Sequence, residues 1–227
     1  MKRGADRAIV VWPVSPDALV EQQARLAAAK PALWQFAPDA VVGGCFVCFP
    51  RGPSGPGRAG DRAWAAAAAG EATVVVTGAA GAPYESGLLA LREGALLEAA
   101  VRALPRRPDV LLVDATGRDH PRRAGLALHL GSVLDVPTVG VTHRTLLATG
   151  DEPEDEAAAR SPLRLAGEVV GYRLRTRRGC RPVAVHAAWR TDPETAVEVV
   201  LACTRGTRTP EPLRRARLAA RTARAGA

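Results

Sequence analysis

The chain has 227 residues, 47% of them hydrophobic, and a formal net charge of +8, enough for one substantial core and an α/β domain with appendages. No apolar run reaches the roughly 18 to 20 residues that a membrane helix needs, and the Lys2-Arg3 start leads into no signal-peptide core, so a cytoplasmic protein without a membrane partner is expected. The basic balance favours a polyanionic partner such as nucleic acid, although it is carried almost wholly by arginine in an Ala-, Gly- and Pro-rich chain, a look that high-GC coding also produces.

Residues 16–36 predict a helix, with Asp17 near its start and Leu19, Gln23, Leu26 and Lys30 at helical spacing before Pro31 interrupts. The run VVGGCFVCFP then reads as a buried strand over 41–49. Its Cys45 and Cys48 stand in C-x-x-C spacing. A redox pair normally opens a helix, whereas strand alternation sends these two to opposite faces. Cys180 and Cys203 bring no second C-x-x-C for a zinc site. The pair therefore reads as two small buried hydrophobes. After the loop RGPSGPGRAG, strand candidates at 62–69 and 72–77 are close enough to form an antiparallel meander with the first.

Beyond Tyr84 the period changes. Leu96, Leu97, Ala100, Val101 and Leu104 fall on one helical face, and DVLLVDA at 109–115 follows as a buried strand. Pro121 suits the first turn of a helix whose apolar face is Leu126, Leu130, Val133 and Leu134, and PTVGVT reads as another buried strand. Three strands, helix, strand, helix, strand is the order of an α/β ribonuclease H-like mixed sheet, three antiparallel strands followed by parallel ones, flanked by helices.

The acidic loop GDEPEDEAAARS at 150–161 is expected to be solvated. A hairpin from EVVGYRLR to VAVHAAW follows, then a helix from Pro193 with Ala196, Val197, Val200 and Leu201 inward. One domain over 1–206 and a basic tail over 207–227 are expected. From Arg205 the end carries seven arginines, and reads equally as a helix on phosphates or a frayed end.

In a sheet of this order, carboxylates at the ends of adjacent central strands can hold two metal ions roughly 3.5 to 4 Å apart for phosphodiester hydrolysis. Hard Mg²⁺ takes oxygen ligands. Asp114 closes the strand DVLLVDA, where a buried carboxylate calls for neutralisation. His120 precedes Pro121, and a helix start there with Arg122 and Arg123 would favour a phosphate.

The segment PYESGLLALREGALLEAAVRALPRRPDVLLVDATGRDHPRRAGLALHLGSVLDVPTVGVTHRTL, residues 83–146, resembles the core of the endonuclease V family. That family reads P-Y-x-P-G-x-L-x-F-R-E, a P-D-hydrophobic-V-D-G turn, H-P-R-R-x-G-x-A-x-H-x-G and V-P-T-x-G-V. Weaker similarity extends towards the chain start and through PLRLAGEVVGYRLRT, CRPVAV and GTRTPEPLRRA. The resemblance implies a nuclease of DNA-repair type that uses Mg²⁺, with Mn²⁺ able to substitute. It nicks DNA, or in some members RNA, at the second phosphodiester 3′ of deoxyinosine. It further implies Tyr84 as the wedge with Gly87 beside it, Glu93, Asp114 and His120 as the catalytic set, and Asp114 and Glu93 as metal ligands. Arg122, Arg123 and His143 join Tyr84 and Gly87 as nucleic-acid contacts. A monomer is expected.

Against this pattern, the first-strand metal aspartate falls on Phe46, which cannot ligate a metal. His143 stands for the usual lysine, Ser86 for the wedge proline and Ala115 for a glycine. The family's G-H-x-I/V-S before its last helix is set against Ala188-Trp189-Arg190-Thr191-Asp192, with Asp192 an N-cap before Pro193. Neither Asp39 nor Asp61 is in register to compensate. The expectation is an endonuclease V-like protein with impaired or lost cleavage that keeps the binding groove. An active endonuclease with altered metal coordination is the alternative.

Overall fold

The computed structural model describes residues 12–50, 52 and 55–227; the Lys2-Arg3 start and part of the 51–60 loop lie outside them. Among the described residues eight strands, β1 (Val42–Cys48), β2 (Arg62–Ala69), β3 (Ala72–Ala79), β4 (Val110–Val113), β5 (Thr138–Thr142), β6 (Arg160–Leu165), β7 (Glu168–Leu174) and β8 (Val183–Ala187), form one sheet in the order β3-β2-β1-β4-β5-β8-β7-β6. The meander β1–β2–β3 is antiparallel, β1, β4 and β5 run parallel, and β5–β8–β7–β6 is antiparallel again. The ribonuclease H-like order read from the sequence is present, extended by three strands.

Helices α1 (Pro16–Ala28), α2 (Leu89–Arg102) and α3 (Leu126–Leu134) cover one face; α4 (Pro193–Ala202) and α5 (Glu211–Ala225) cover the other. Alternation in β2 explains how both layers approach so closely. Ala63, Ala65, Ala67 and Ala69 face the α2 side while Trp64, Ala66 and Ala68 face α5, so a nearly all-alanine strand is buried on both faces. Cys45 and Cys48 part to opposite faces in the same way and are free thiols. Burial pushes the Cys45 thiol far up, so it is no thiolate.

Four details differ from the sequence reading. α1 is capped by the Ser15 hydroxyl and ends at Ala28, not 36, because the residue before Pro31 is driven out of helical geometry. α3 starts at Leu126 rather than at Pro121; residues between Gly117 and Gly125 form turns, with Arg123 at a φ of 56°. β6 starts at the end of the expected acidic loop and runs through residues to which the sequence assigned no element; its Pro162 is tolerated because β6 is the sheet edge. The rest of that loop is held by Arg175, which bonds the Glu154, Pro153 and Cys180 carbonyls and pairs with Glu152 and Asp155.

The arginine-rich end is a packed helix and not a frayed tail. α5 buries Leu213, Ala216 and Ala220 completely against β1 and β2. Gly44 permits this approach, since a Cβ there would lie 2.5 Å from the Pro212 carbonyl carbon and 2.6 Å from the Leu213 nitrogen. Arg215 then clamps the β2–β3 turn through the Gly70, Glu71 and Ala72 carbonyls.

Candidate functional site

Because β1, β4 and β5 are parallel, their C-terminal ends open on one side of the sheet. Cys45 pairs with Val113, both turned to the α2 layer, so one residue further Phe46 lies beside Asp114 on the α5 side. Phe46 thus occupies the position from which a first-strand carboxylate would face Asp114. Asp39 precedes β1 at the opposite end, and Asp61 is bound to Arg92 at 3.1 Å, so neither replaces it.

The Asp114 carboxylate has a partner that the sequence did not reveal. Arg217 of α5 meets it with both prongs, Nη2 donating to Oδ1 at 2.8 Å and Nε to Oδ2 at 3.3 Å. Its Nη1 donates to His143 Nε2 at 3.0 Å and to Thr209 Oγ1 at 3.2 Å. A guanidinium cannot accept, so the His143 proton sits on Nδ1. Burial first, and then Arg217, lower the pKa of His143 and keep it neutral. The Phe46 ring lies beneath two guanidiniums, Arg217 at 5.7 Å and Arg221 at 5.4 Å from its centroid.

Glu93, in the first turns of α2, borders the same hollow of about 230 Å³ with Cys45, Phe46, Tyr84 and Asp114. Desolvation, reinforced by Asp114, raises its carboxyl to about 8 against the opposing effect of Arg92, so it is largely protonated at neutral pH. Arg92 itself is buried, bonded to the Arg58 and Ala82 carbonyls and stacked 3.9 Å from the Phe49 ring centroid.

A second hollow, about 170 Å³, opens on the other side of Tyr84 and is lined by Gln23, Ser86, Gly87, Ala115, Thr116, His120 and Leu126 among others. Tyr84 stands 52% exposed between the two. The loop behind it is pinned at one atom: the Gly87 carbonyl, at a φ of +83°, receives Gln23 Nε2 at 3.1 Å, His120 Nε2 at 3.2 Å and Arg122 Nη2 at 2.8 Å. The Arg122 backbone N–H donates to His120 Nδ1, which fixes the Nε2–H tautomer, and burial lowers the imidazole to about 4.

Asp114, Glu93, Tyr84, Gly87 and His120 are therefore assembled around adjoining hollows, and His143 is joined to Asp114 through Arg217. Arg122 and Arg123 are not presented to solvent as a phosphate-binding helix start. Arg122 is spent on Gly87 and Gln23, and Arg123 on the Leu165 carbonyl and Glu168. Sequence reasoning also missed Asp119, wholly buried, which accepts from the Leu146, Leu147 and Ala148 amides at 2.7 to 2.8 Å and so fixes the loop carrying His143. His186 supports the same loop by donating from Nε2 to Thr142 Oγ1 at 3.0 Å. The signal for Arg217 was available in the spacing of Arg214, Arg217, Arg221 and Arg224 beside Leu213, Ala216 and Ala220, a helical stripe rather than a tail.

The segment Ala188-Trp189-Arg190-Thr191-Asp192, set against the family's G-H-x-I/V-S, joins β8 to α4 and holds no histidine. Asp192 does cap α4, accepting from the Thr195 amide at 2.7 Å. Among the described residues no group of three or more His, Cys, Asp or Glu is placed to hold a metal ion. With Asp114 already bidentate to Arg217 and Phe46 opposite it, the residues present do not fit a divalent cation, which wants several oxygens. No helix among the described residues is long and apolar enough to cross a membrane.

The family model described as Endonuclease V matches residues 62–218. The curated endonuclease V of Methanothrix thermoacetophila is 38% identical over 225 residues, covering 93% of each chain. That of Gloeobacter violaceus is 44% identical over 142 residues, an alignment that covers 62% of this chain and spans only 58% of that relative. Among solved structures, the endonuclease V of Streptomyces avermitilis superposes with a TM-score of 0.80 at 30% identity, covering 95% of this chain and 96% of that one. An endonuclease V of Ciona intestinalis, in complex with a 24mer DNA containing an inosine followed by a ribo-adenosine, shares the fold at 22% identity and a TM-score of 0.73, covering 91% and 96%.

Proposed function

This chain belongs to the endonuclease V family, and from that premise we propose that it binds nucleic acid bearing a deaminated purine, DNA in the first place, while its cleavage of the phosphodiester is impaired or lost. The observation that carries this reading is Phe46 in register beside Asp114, where the resemblance calls for a second metal carboxylate. Two-metal hydrolysis generates the nucleophile and stabilises the leaving oxygen through that pair of ligands, so the loss of one removes most of the rate. Trp189, in the segment set against the family's histidine motif, and His143 in place of the lysine support the same reading.

The binding half is intact by the same reasoning. Tyr84 is exposed between two hollows, suited to fill the gap left when a base leaves its stack, and the hollow lined by Ser86, Gly87, Ala115 and Thr116 is the natural receptacle for that base. Gln23, His120 and Arg122 act here as positioning residues: they hold the Gly87 carbonyl, and with it the loop that carries Tyr84. His120, neutral and engaged through both ring nitrogens, is occupied in that role. Mg²⁺, with Mn²⁺ able to substitute, is the cofactor an uninterrupted family site would take.

The test uses the unaltered protein with inosine-bearing and unmodified oligonucleotides, as DNA and as RNA, with Mg²⁺ or Mn²⁺. The inosine strand is expected to bind more tightly than the unmodified one, to lose most of that preference in Tyr84→Ala, and to stay uncut. Robust nicking 3′ of the inosine overturns the reading, and equal affinity for both strands removes the base receptacle from it.

A further inference from the structure

Deepening that reading and resting on it, the inference concerns what fills the centre in place of a metal. Phe46 alone would leave Asp114 as an unpaired carboxylate at the end of a buried strand, which is costly. Instead the carboxylate is fully paired: both of its oxygens accept from Arg217, whose side chain is 12% exposed, and the third nitrogen of that guanidinium is held by His143 and Thr209. The phenyl ring at position 46 offers its face to Arg217 and to Arg221, so the substitution in β1 and the arginines of α5 form one packed unit. Among the described residues Arg221 makes no ion pair and is exposed. A positive charge therefore stands beside Asp114, with a second against the same Phe46 ring and free to face solvent.

We propose that the Arg217 guanidinium has taken the place of the divalent cation, turning the centre into a metal-free seat for a nucleic-acid phosphodiester, with Arg221 as the second cation. Arg217 fills the centre with its donors taken by Asp114, His143 and Thr209, and the exposed Arg221 guanidinium presents the paired N–H donors that recognise a phosphate without any metal. A divalent ion, by contrast, would have to expel Arg217 from Asp114 and leave that guanidinium's remaining partners, His143 and Thr209, behind. It follows that returning an aspartate to position 46 does not by itself rebuild a metal site, because the new carboxylate would meet Arg217 and Arg221 already in place.

The deciding measurement is Mn²⁺ uptake, read from the paramagnetic resonance of the free ion, for the unaltered chain, Phe46→Asp, and Phe46→Asp combined with Arg217→Gln. The first two are expected to leave Mn²⁺ free, and the double variant to bind one equivalent at least about tenfold more tightly than Phe46→Asp. Mn²⁺ bound at Asp114 in the unaltered chain, or bound by Phe46→Asp as tightly as by the double variant, overturns the proposal. A second measurement needs no variant. Affinity of the unaltered chain for an inosine-bearing strand, at constant ionic strength, is expected to agree within about twofold between EDTA and Mn²⁺. Binding that collapses in EDTA overturns the replacement of the metal. A strand that binds under neither condition instead overturns the phosphate seat together with the binding function, a failure distinguishable from metal uptake.

Discussion

His129, on α3, is wholly buried with its ring 4.5 Å from that of Trp12, and neither of its nitrogens has a partner. Desolvation alone lowers its pKa from 6.5 to about 4. The unfolded chain takes up this proton as pH falls through 6.5, and the folded one refuses it until about 4. The residue's contribution to stability is therefore complete above pH 6.5 and declines as pH drops to 4, by about 3 kcal/mol. His129→Leu is expected to match or exceed the wild type at pH 7 and to gain about 3 kcal/mol over it by pH 4, read from urea midpoints; parallel curves would show that this imidazole does not set the acid limb. At this scale the sequence was informative where a residue type carries one chemistry, as at Asp114 or Tyr84. It was silent where the partner decides: nothing in the letters of Arg122 says that its charge is consumed by the Gly87 carbonyl, and nothing in Arg217 says that it reaches Asp114 across 103 positions.

α5 shows how one element serves two purposes. Its apolar stripe closes the sheet, and its arginine stripe supplies the charge at the strand ends. Both depend on Gly44, whose missing side chain lets Pro212 and Leu213 lie directly on β1. Gly44→Ala places a carbon against rigid backbone, so the helix must shift, at a cost of about 2 to 3 kcal/mol in a urea melt. The accompanying loss of the Arg217–Asp114 pair would show as a displaced Asp114 carboxyl resonance; an unchanged melt would mean that α5 is free to slide. The segment escaped sequence reading because seven arginines in the last 23 residues hide a narrow alanine stripe, and small residues give a weak periodic signal even when fully buried. The β6 strand escaped for a related reason, lying behind an acidic run and carrying a proline.

Over the whole molecule, the net charge of +8 predicts salt-sensitive association with nucleic acid, in which each arginine that neutralises a phosphate contributes about one to the slope of log affinity against log salt. Arg221→Ala is expected to weaken binding for every base composition and to lower that slope by about one, followed by fluorescence anisotropy between low and moderate salt; an unaltered slope would place Arg221 away from the strand. The sheet order was legible because buried parallel strands read as unbroken apolar runs and the period changes cleanly at α2. The site was legible as a set of positions but not as a centre, because its occupant comes from an element joined to it only by tertiary packing. Phe46 and Arg217 lie at nearly opposite ends of the chain yet share one ring contact, and this bears on descent. Changing position 46 back offers a carboxylate to arginines already in residence, and changing position 217 alone strands Asp114 without a counter-charge. On the proposed reading neither first step rebuilds a metal centre, so a return to hydrolysis requires both changes together, with no graded path between them.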